Sequence, residues 1–157
     1  MLVLSARPVV ADGLAGWLCG SRSWRLAGIV TERSFAVRAV REQRADIALV
    51  TDDMNTRIVL AGRLGDVGAA TVIALSETGN ASDEADLIRA GAAAVLPLPV
   101  LTQSRLLRAL EDVRDGRRVL SADALSRLVG ADPLGTLSTR QREVAVLLMQ
   151  GHSVRFI

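Results

Sequence analysis

The chain contains no lysine and no tyrosine, and it has one cysteine and one histidine among its 157 residues. The absence of lysine excludes any chemistry that needs an ammonium side chain. A lone cysteine cannot form an intramolecular disulfide or a cysteine-based metal cluster, and this scarcity indicates a cytosolic compartment. We expect Cys19 to be a small buried residue on a helix.

Long apolar runs and strong charge are also missing. No apolar run approaches the ~20 residues that span a membrane, and the N-terminal residues lack the layout of a signal peptide. We therefore expect a cytoplasmic protein with no membrane partner. The net charge is only +2, which provides no broad basic face for nucleic acid. Apolar residues make up 50% of the chain, enough for a packed core.

The first 115 residues alternate short apolar segments with amphipathic ones. The apolar segments are typical of parallel strands covered on both faces, and they are 2–5, 25–30, 47–51, 71–75 and 94–96. The amphipathic segments predict helices over 8–19, 34–43, 57–64, 82–90, 101–115 and 121–129. Ser82 is a suitable N-cap for the fourth helix. Right-handed crossovers then predict an α/β fold, a doubly wound five-stranded parallel sheet in the order 2-1-3-4-5.

Residues 137–157 carry a second pattern. Ser138 or Thr139 can cap an amphipathic helix that Gly151 ends, and Ser153 opens another helix. The segment resembles the start of the LuxR-type helix-turn-helix, and the positions in register are Leu137, Arg140, Glu143, Val144, Leu147, Gly151, Ser153 and Ile157.

That resemblance implies that the helix that reads the major groove lies downstream of residue 157. The candidate DNA contacts within the fragment are Arg140, Arg142, Ser153 and Arg155. Few phosphate contacts on a near-neutral domain give little affinity at physiological salt. We therefore expect the full-length parent to bind DNA specifically and this chain not to.

Together with that fragment, the βα pattern resembles the receiver domain of bacterial response regulators of the NarL/FixJ type. The matching segments are Pro8 with Gly13-Leu14, residues 45–50, and residues 90–93 before the fifth strand. The resemblance implies a receiver-like domain over 1–116, a helical linker over 117–136, and a helix-turn-helix fragment over 137–157.

Receivers of this family transfer a phosphoryl group to an aspartate that ends the third strand. An acid pair after the first strand holds magnesium, and a lysine after the fifth neutralises phosphoryl charge. In register, the acid pair falls at Ser5 and Ala6, the acceptor at Thr51 and the lysine at Leu98, while Ser76 keeps the switch hydroxyl. The resemblance thus implies a vacated phosphorylation pocket with no catalytic residue, metal or cofactor, formed by Ser5, Ala6, Arg7, Thr51, Asp52, Asp53, Ser76 and Leu98.

Asp52 and Asp53 admit three interpretations. They can be solvated loop acids. A slip of one residue would make Asp52 the acceptor, although the apolar run 47–50 fixes the frame against it. Alternatively, Arg7 can reach across and form an ion pair with one of them, which would hold the loops in one state.

The favoured hypothesis is a transcription regulator and not an enzyme. A non-phosphorylatable receiver-like module would control a LuxR-type DNA-binding domain through dimerisation or through a ligand or partner. The alternatives are a phosphorylation-dependent regulator with Asp52 as displaced acceptor, and a sensor whose vacated pocket, poor in charge, takes an uncharged small-molecule effector. We expect a homodimer that uses the fifth helix with the fourth or the first, through Val100, Leu101, Arg105, Arg108 and Asp112.

Overall fold

Five short strands form one parallel sheet in the computed structural model, which describes residues 1–42, 44–63 and 70–130. The strands are β1 (Leu2–Leu4), β2 (Gly28–Val30), β3 (Ile47–Thr51), β4 (Thr71–Ser76) and β5 (Ala94–Pro97). The helices are α1 (Pro8–Cys19), α2 (Arg33–Glu42), α3 (Thr56–Arg63), α4 (Ala81–Arg89), α5 (Gln103–Arg114) and α6 (Ala122–Gly130). Among the helices described, none combines the length and apolarity needed to cross a membrane.

The strand order is β2-β1-β3-β4-β5, which confirms the predicted doubly wound fold. Successive strand residues point to opposite faces of the sheet, so each buried strand contributes side chains to two apolar cores. One core lies under α2, α3 and α4 and includes Leu4, Val50 and Val72. The other lies under α1 and α5 and includes Leu49 and Ile73.

The observed bounds follow the prediction closely, with three instructive differences. β2 is shorter than predicted because β1 offers only Leu2–Leu4 as pairing partners. Asn80, and not Ser82, caps α4, since its Oδ1 accepts the backbone N–H of Ser82 at 2.8 Å. α5 begins at Gln103 because Leu98–Val100 first form a 3-10 turn.

Cys19 is exposed, so the expectation of a buried cysteine is wrong. The buried stripe of α1 consists of Ala11, Leu14 and Leu18. Cys19 follows Leu18 and therefore points about 100° away from that stripe.

Residues 117–121, called the strap below, run along the outer edge of β5. Val119 donates its N–H to the carbonyl of Ala93 at 3.1 Å and accepts the N–H of Val95 at 3.0 Å. α6 then packs on α4, where Arg89 Nη2 donates to the carbonyl of Arg127 at 3.1 Å. The start of the predicted linker is thus docked on the sheet, and the predicted helix-turn-helix fragment lies outside the described residues.

Candidate functional site

The carboxyl ends of β1, β3 and β4 meet at one edge of the sheet, where ligands of doubly wound folds bind. The strand register places Leu4 beside Val50, and Thr51 beside Leu75. The polar residues that end these strands, Ser5, Thr51 and Ser76, are all buried.

Thr51 occupies the acceptor position predicted from the receiver resemblance. Its Oγ1 lies 3.2 Å from the carbonyl oxygen of Leu4 and also within hydrogen-bond distance of the Asp53 carboxylate. A hydroxyl has one proton, so the two acceptors share it. Its own carbonyl accepts a bond from Thr56 Oγ1 at 3.4 Å. Thr51 is therefore a neutral residue that joins β1 to the loop after β3.

Arg7 lies between two acids from neighbouring strand ends. Its Nε is 3.3 Å from Asp53 Oδ2, and its Nη2 forms an ion pair with Glu77 Oε1. The Arg7–Asp53 contact predicted from the sequence is present. The participation of Glu77 was not predicted, although its position directly after β4 was the available signal. Arg7, Asp53 and Glu77 are called the Arg7 cluster below.

The contacts of the Arg7 cluster are only partly shielded from solvent. The Asp53 side chain is only 18% exposed, while that of Arg7 is 43% exposed. The Arg7 Nε and Nη2 atoms and Asp53 Oδ2 are shielded from solvent, and none of the three makes a directed hydrogen bond. Charge proximity in a partly desolvated site therefore holds the contact.

Neither Asp52 nor Asp53 is a merely solvated loop acid. Asp52 Oδ2 accepts the backbone N–H of Glu77 at 2.8 Å, which ties the end of β3 to the end of β4. Arg33 Nε donates to the backbone carbonyl of Asp53. Asp53 thus receives contacts from Thr51, Arg7 and Arg33, and both acids organise the loop after β3.

The other predicted pocket residues have ordinary structural contacts. Ala6 and Leu98 pack against the apolar cores on opposite sides of the sheet. Ser76 Oγ lies 3.2 Å from Thr78 Oγ1. The three charged side chains of the Arg7 cluster meet at this edge, and a small-molecule pocket here stays a prediction.

A receiver fold implies magnesium, and the residues at this edge do not fit that ion. Ser5 and Ala6 offer no carboxylate, and the carboxylate of Asp53 already faces a guanidinium. Magnesium is bound through oxygen ligands, usually with one or two carboxylates. Within the described part of the chain, no group of three or more His, Cys, Asp or Glu residues is placed to hold a metal ion.

The predicted dimer residues lie together after β5 and on α5. Val100 is exposed, as are Arg105 and Arg108, and Leu101 is partly buried. Asp112 is engaged, because Arg117 Nη1 forms an ion pair with it. The predicted DNA contacts, Arg140, Arg142, Ser153 and Arg155, lie outside the described residues.

No protein-family profile and no curated protein matches the sequence. Several solved structures match the fold. The RcsB response regulator of Salmonella typhimurium aligns with a TM-score of 0.67 and 14% identity over 96% of this chain and 76% of that chain. A LuxR-family two-component response regulator from Aurantimonas sp. SI85-9A1 aligns with a TM-score of 0.65 and 19% identity, over 83% of this chain and 94% of that chain. The receiver domain of NarL from Mycobacterium tuberculosis aligns with a TM-score of 0.67 and 21% identity, over 74% of this chain and 95% of that chain. At these identities the likeness establishes the receiver fold.

Proposed function

We propose that the chain belongs to a transcription regulator whose receiver-like domain does not accept a phosphoryl group and works by binding, not catalysis. The fold supports the general class, since its solved neighbours include an RcsB–DNA complex and an RcsB receiver domain with a phosphomimetic. Fold alone does not determine function, so the site carries the specific part of the proposal.

The Arg7 cluster is the observation that carries this proposal. Its guanidinium lies directly after the vacant acid-pair position and pairs with acids from β3 and β4. A fixed positive charge within the chain therefore pairs with two of the three carboxylates at this edge, those of Asp53 and Glu77. Contacts within the chain thus tie the strand-end loops together, which favours a domain with one constitutive arrangement.

Phosphodonor treatment tests this proposal directly. We expect no adduct on the chain after incubation with acetyl phosphate and magnesium, and no binding of beryllofluoride, measured by intact mass spectrometry and fluorine NMR. A phosphorylatable receiver serves as the positive control. An aspartyl adduct that Asp52→Asn abolishes and Asp53→Asn leaves intact would instead establish Asp52 as a displaced acceptor.

Dimerisation through α1 and α5 is the second part of the proposal. The α4 surface, one of the two predicted partners of α5, is covered by α6. On α1, Val9 is 84% exposed, the largest value among the exposed large hydrophobic residues of the described chain. A solved neighbour contains two RcsB dimers bound to DNA, and two-fold symmetry suits palindromic operators.

Sedimentation velocity tests the dimer. We expect Val9→Arg to shift the chain towards monomer, because burying an unpaired charge at an apolar contact is unfavourable. Ile58→Arg is the matched control, since Ile58 is also exposed but lies on α3. Equal sedimentation of all three proteins would exclude the α1–α5 surface.

DNA binding, which the helix-turn-helix resemblance implies, is the third part of the proposal. In a gel shift at ~150 mM salt, a protein extended through the remaining helix-turn-helix should bind selectively and this chain should not. Equal selective binding by both proteins would mean that the reading element lies within the 157 residues.

A further inference from the structure

A cavity of about 360 Å³ opens between β5, α5 and the strap. It lies at the edge strand of the sheet, and none of Arg7, Asp53 and Glu77 lines it, although the neighbouring Ser76 does. Its volume falls within the range of small-molecule sites. Most of its lining is apolar, and the apolar side chains include Val95, Leu96, Leu101, Ala109, Val119 and Leu120.

Two arginines on α5 line the cavity without acid partners. Arg105 and Arg108 are three residues apart, so they lie on one side of the helix. The Arg105 guanidinium donates only to the carbonyl of Val100, at 3.4 Å, and the Arg108 side chain makes neither a hydrogen bond nor an ion pair with any described residue. Both guanidiniums are exposed and available to an anion from solution.

The acids of the cavity, in contrast, are already engaged. Asp112 forms an ion pair with Arg117. Glu84 is buried on α4 and accepts hydrogen bonds from the backbone N–H of Ser121 and from Ser121 Oγ, the latter at 2.7 Å. The charged groups of the lining that remain open to a ligand are therefore the two arginines, and the floor beneath them is apolar.

We propose that this cavity binds a small amphipathic organic anion, with its apolar body on the β5 floor and its carboxylate between Arg105 and Arg108. Guanidinium groups bind carboxylates through paired hydrogen bonds, and apolar floors gain from burial of alkyl surface. A second copy of the chain suits the Arg105–Arg108 side of α5 less well than the surface of α1 and the start of α5, where Gln103 contacts Trp17. A two-fold axis on the arginine side would bring unpaired arginines of both copies together.

The strap connects this cavity to the C-terminal part of the chain. Val119, Leu120 and Ser121 contribute one wall, and α6 follows directly. A ligand that contacts this wall stabilises the docked strap by mass action. Ligand binding in the cavity is thus coupled to the docking of the strap, the segment through which the chain passes from α5 to α6.

Calorimetric titration of the 157-residue chain with octanoate tests the proposal, with octan-1-ol and octylamine as probes of the same length. We expect binding of octanoate, at least tenfold weaker binding of both controls, and at least tenfold weaker octanoate binding by Arg105→Gln/Arg108→Gln. Arg118→Gln is the matched control, since Arg118 is an exposed strap residue that does not line the cavity. Its affinity should equal that of the parent.

Hydrogen exchange provides a second readout at the strap. Octanoate should slow exchange of the Val119 amide, which pairs with Ala93 across the cavity edge. The proposal is overturned if octanoate gives no heat and no protection up to 10 mM, if octan-1-ol binds equally well, or if Arg118→Gln weakens binding as much as the double variant. It is also overturned if the double variant only changes the sedimentation coefficient, because the surface would then be a dimer contact.

Discussion

Arg7 and the arginine pair on α5 stand at two edges of the same sheet, and different charges face them. Arg7 has acids from two strand ends within ion-pair distance, Asp53 and Glu77. Arg105 and Arg108 have no acid partner among the described residues, and the nearby acids are bound elsewhere. An arginine that pairs with acids of its own chain holds two loops together, whereas unpaired arginines beside an apolar floor are suited to bind an external anion.

The segments that their carboxylates hold distinguish the two regions as well. In the Arg7 cluster, Asp53 organises a loop that connects consecutive elements of the sheet. At the other edge, Glu84 holds the strap and the start of α6, which arrive from 37 residues further along the chain. Asp53 therefore stabilises a loop at the sheet edge, and Glu84 stabilises the docking of the segment that follows α5.

Removal of the Glu84 carboxylate should have the largest effect. Glu84→Ala removes the acceptor of the Ser121 N–H and hydroxyl, and a hydrogen bond to a charged group is worth about 1.5–3 kcal/mol. We expect the free energy of unfolding to fall by about 2–3 kcal/mol in urea titrations, with faster exchange of the α6 amides. Glu111→Ala, at an exposed acid of α5, is the control, and an equal loss in both variants would contradict the role of Glu84.

Thr51→Val should have the next largest effect. The side chain is fully buried, and valine keeps its shape while removing the contacts with the Leu4 carbonyl and the Asp53 carboxylate. We expect a loss of about 1–2 kcal/mol, because the Leu4 carbonyl loses its side-chain donor. Thr31→Val, at an exposed threonine, should change stability by less than about 0.5 kcal/mol. An unchanged Thr51→Val protein would show that the hydroxyl is not needed at the acceptor position.

Arg7→Ala should have a smaller effect than its two acid partners suggest. The side chain is 43% exposed, so solvent screening limits the loss to about 1 kcal/mol or less. The loss should shrink between 50 mM and 1 M salt, which is the measurement that identifies an ion pair. A salt-independent loss would indicate packing of the arginine stem instead.

The sheet could be predicted from the sequence because its signals are local. Short β-branched segments and amphipathic helices alternate along the chain, and the apolar run before Thr51 fixes the register of β3. The Arg7–Asp53 contact was also predictable, since topology brings the ends of β1 and β3 together.

The strap and its cavity could not be predicted in the same way. Glu84 resembles an ordinary first-turn acid of a helix, and its burial depends on a partner 37 residues away. Arg105, Arg108 and Asp112 were predicted as one dimer surface. Only the three-dimensional arrangement separates the engaged Asp112 from the two unpaired arginines.

Removal of the Arg105 and Arg108 charges should have the smallest effect on stability. The direction of this effect should differ from that of Arg7→Ala, because Arg7 has acid partners. Like charges three residues apart on a helix repel by about 0.2–0.5 kcal/mol, and no acid in the described part of the chain pairs with Arg105 or Arg108 to offset this. We expect Arg105→Gln/Arg108→Gln to leave the free energy of unfolding unchanged or raised by that amount at low salt. Arg117→Gln, which removes the ion pairs with Asp112 and Asp115, should lower it by up to about 1 kcal/mol. If the double variant lost as much stability as Arg7→Ala, Arg105 and Arg108 would have stabilising partners of their own. They would then not be available to an external anion.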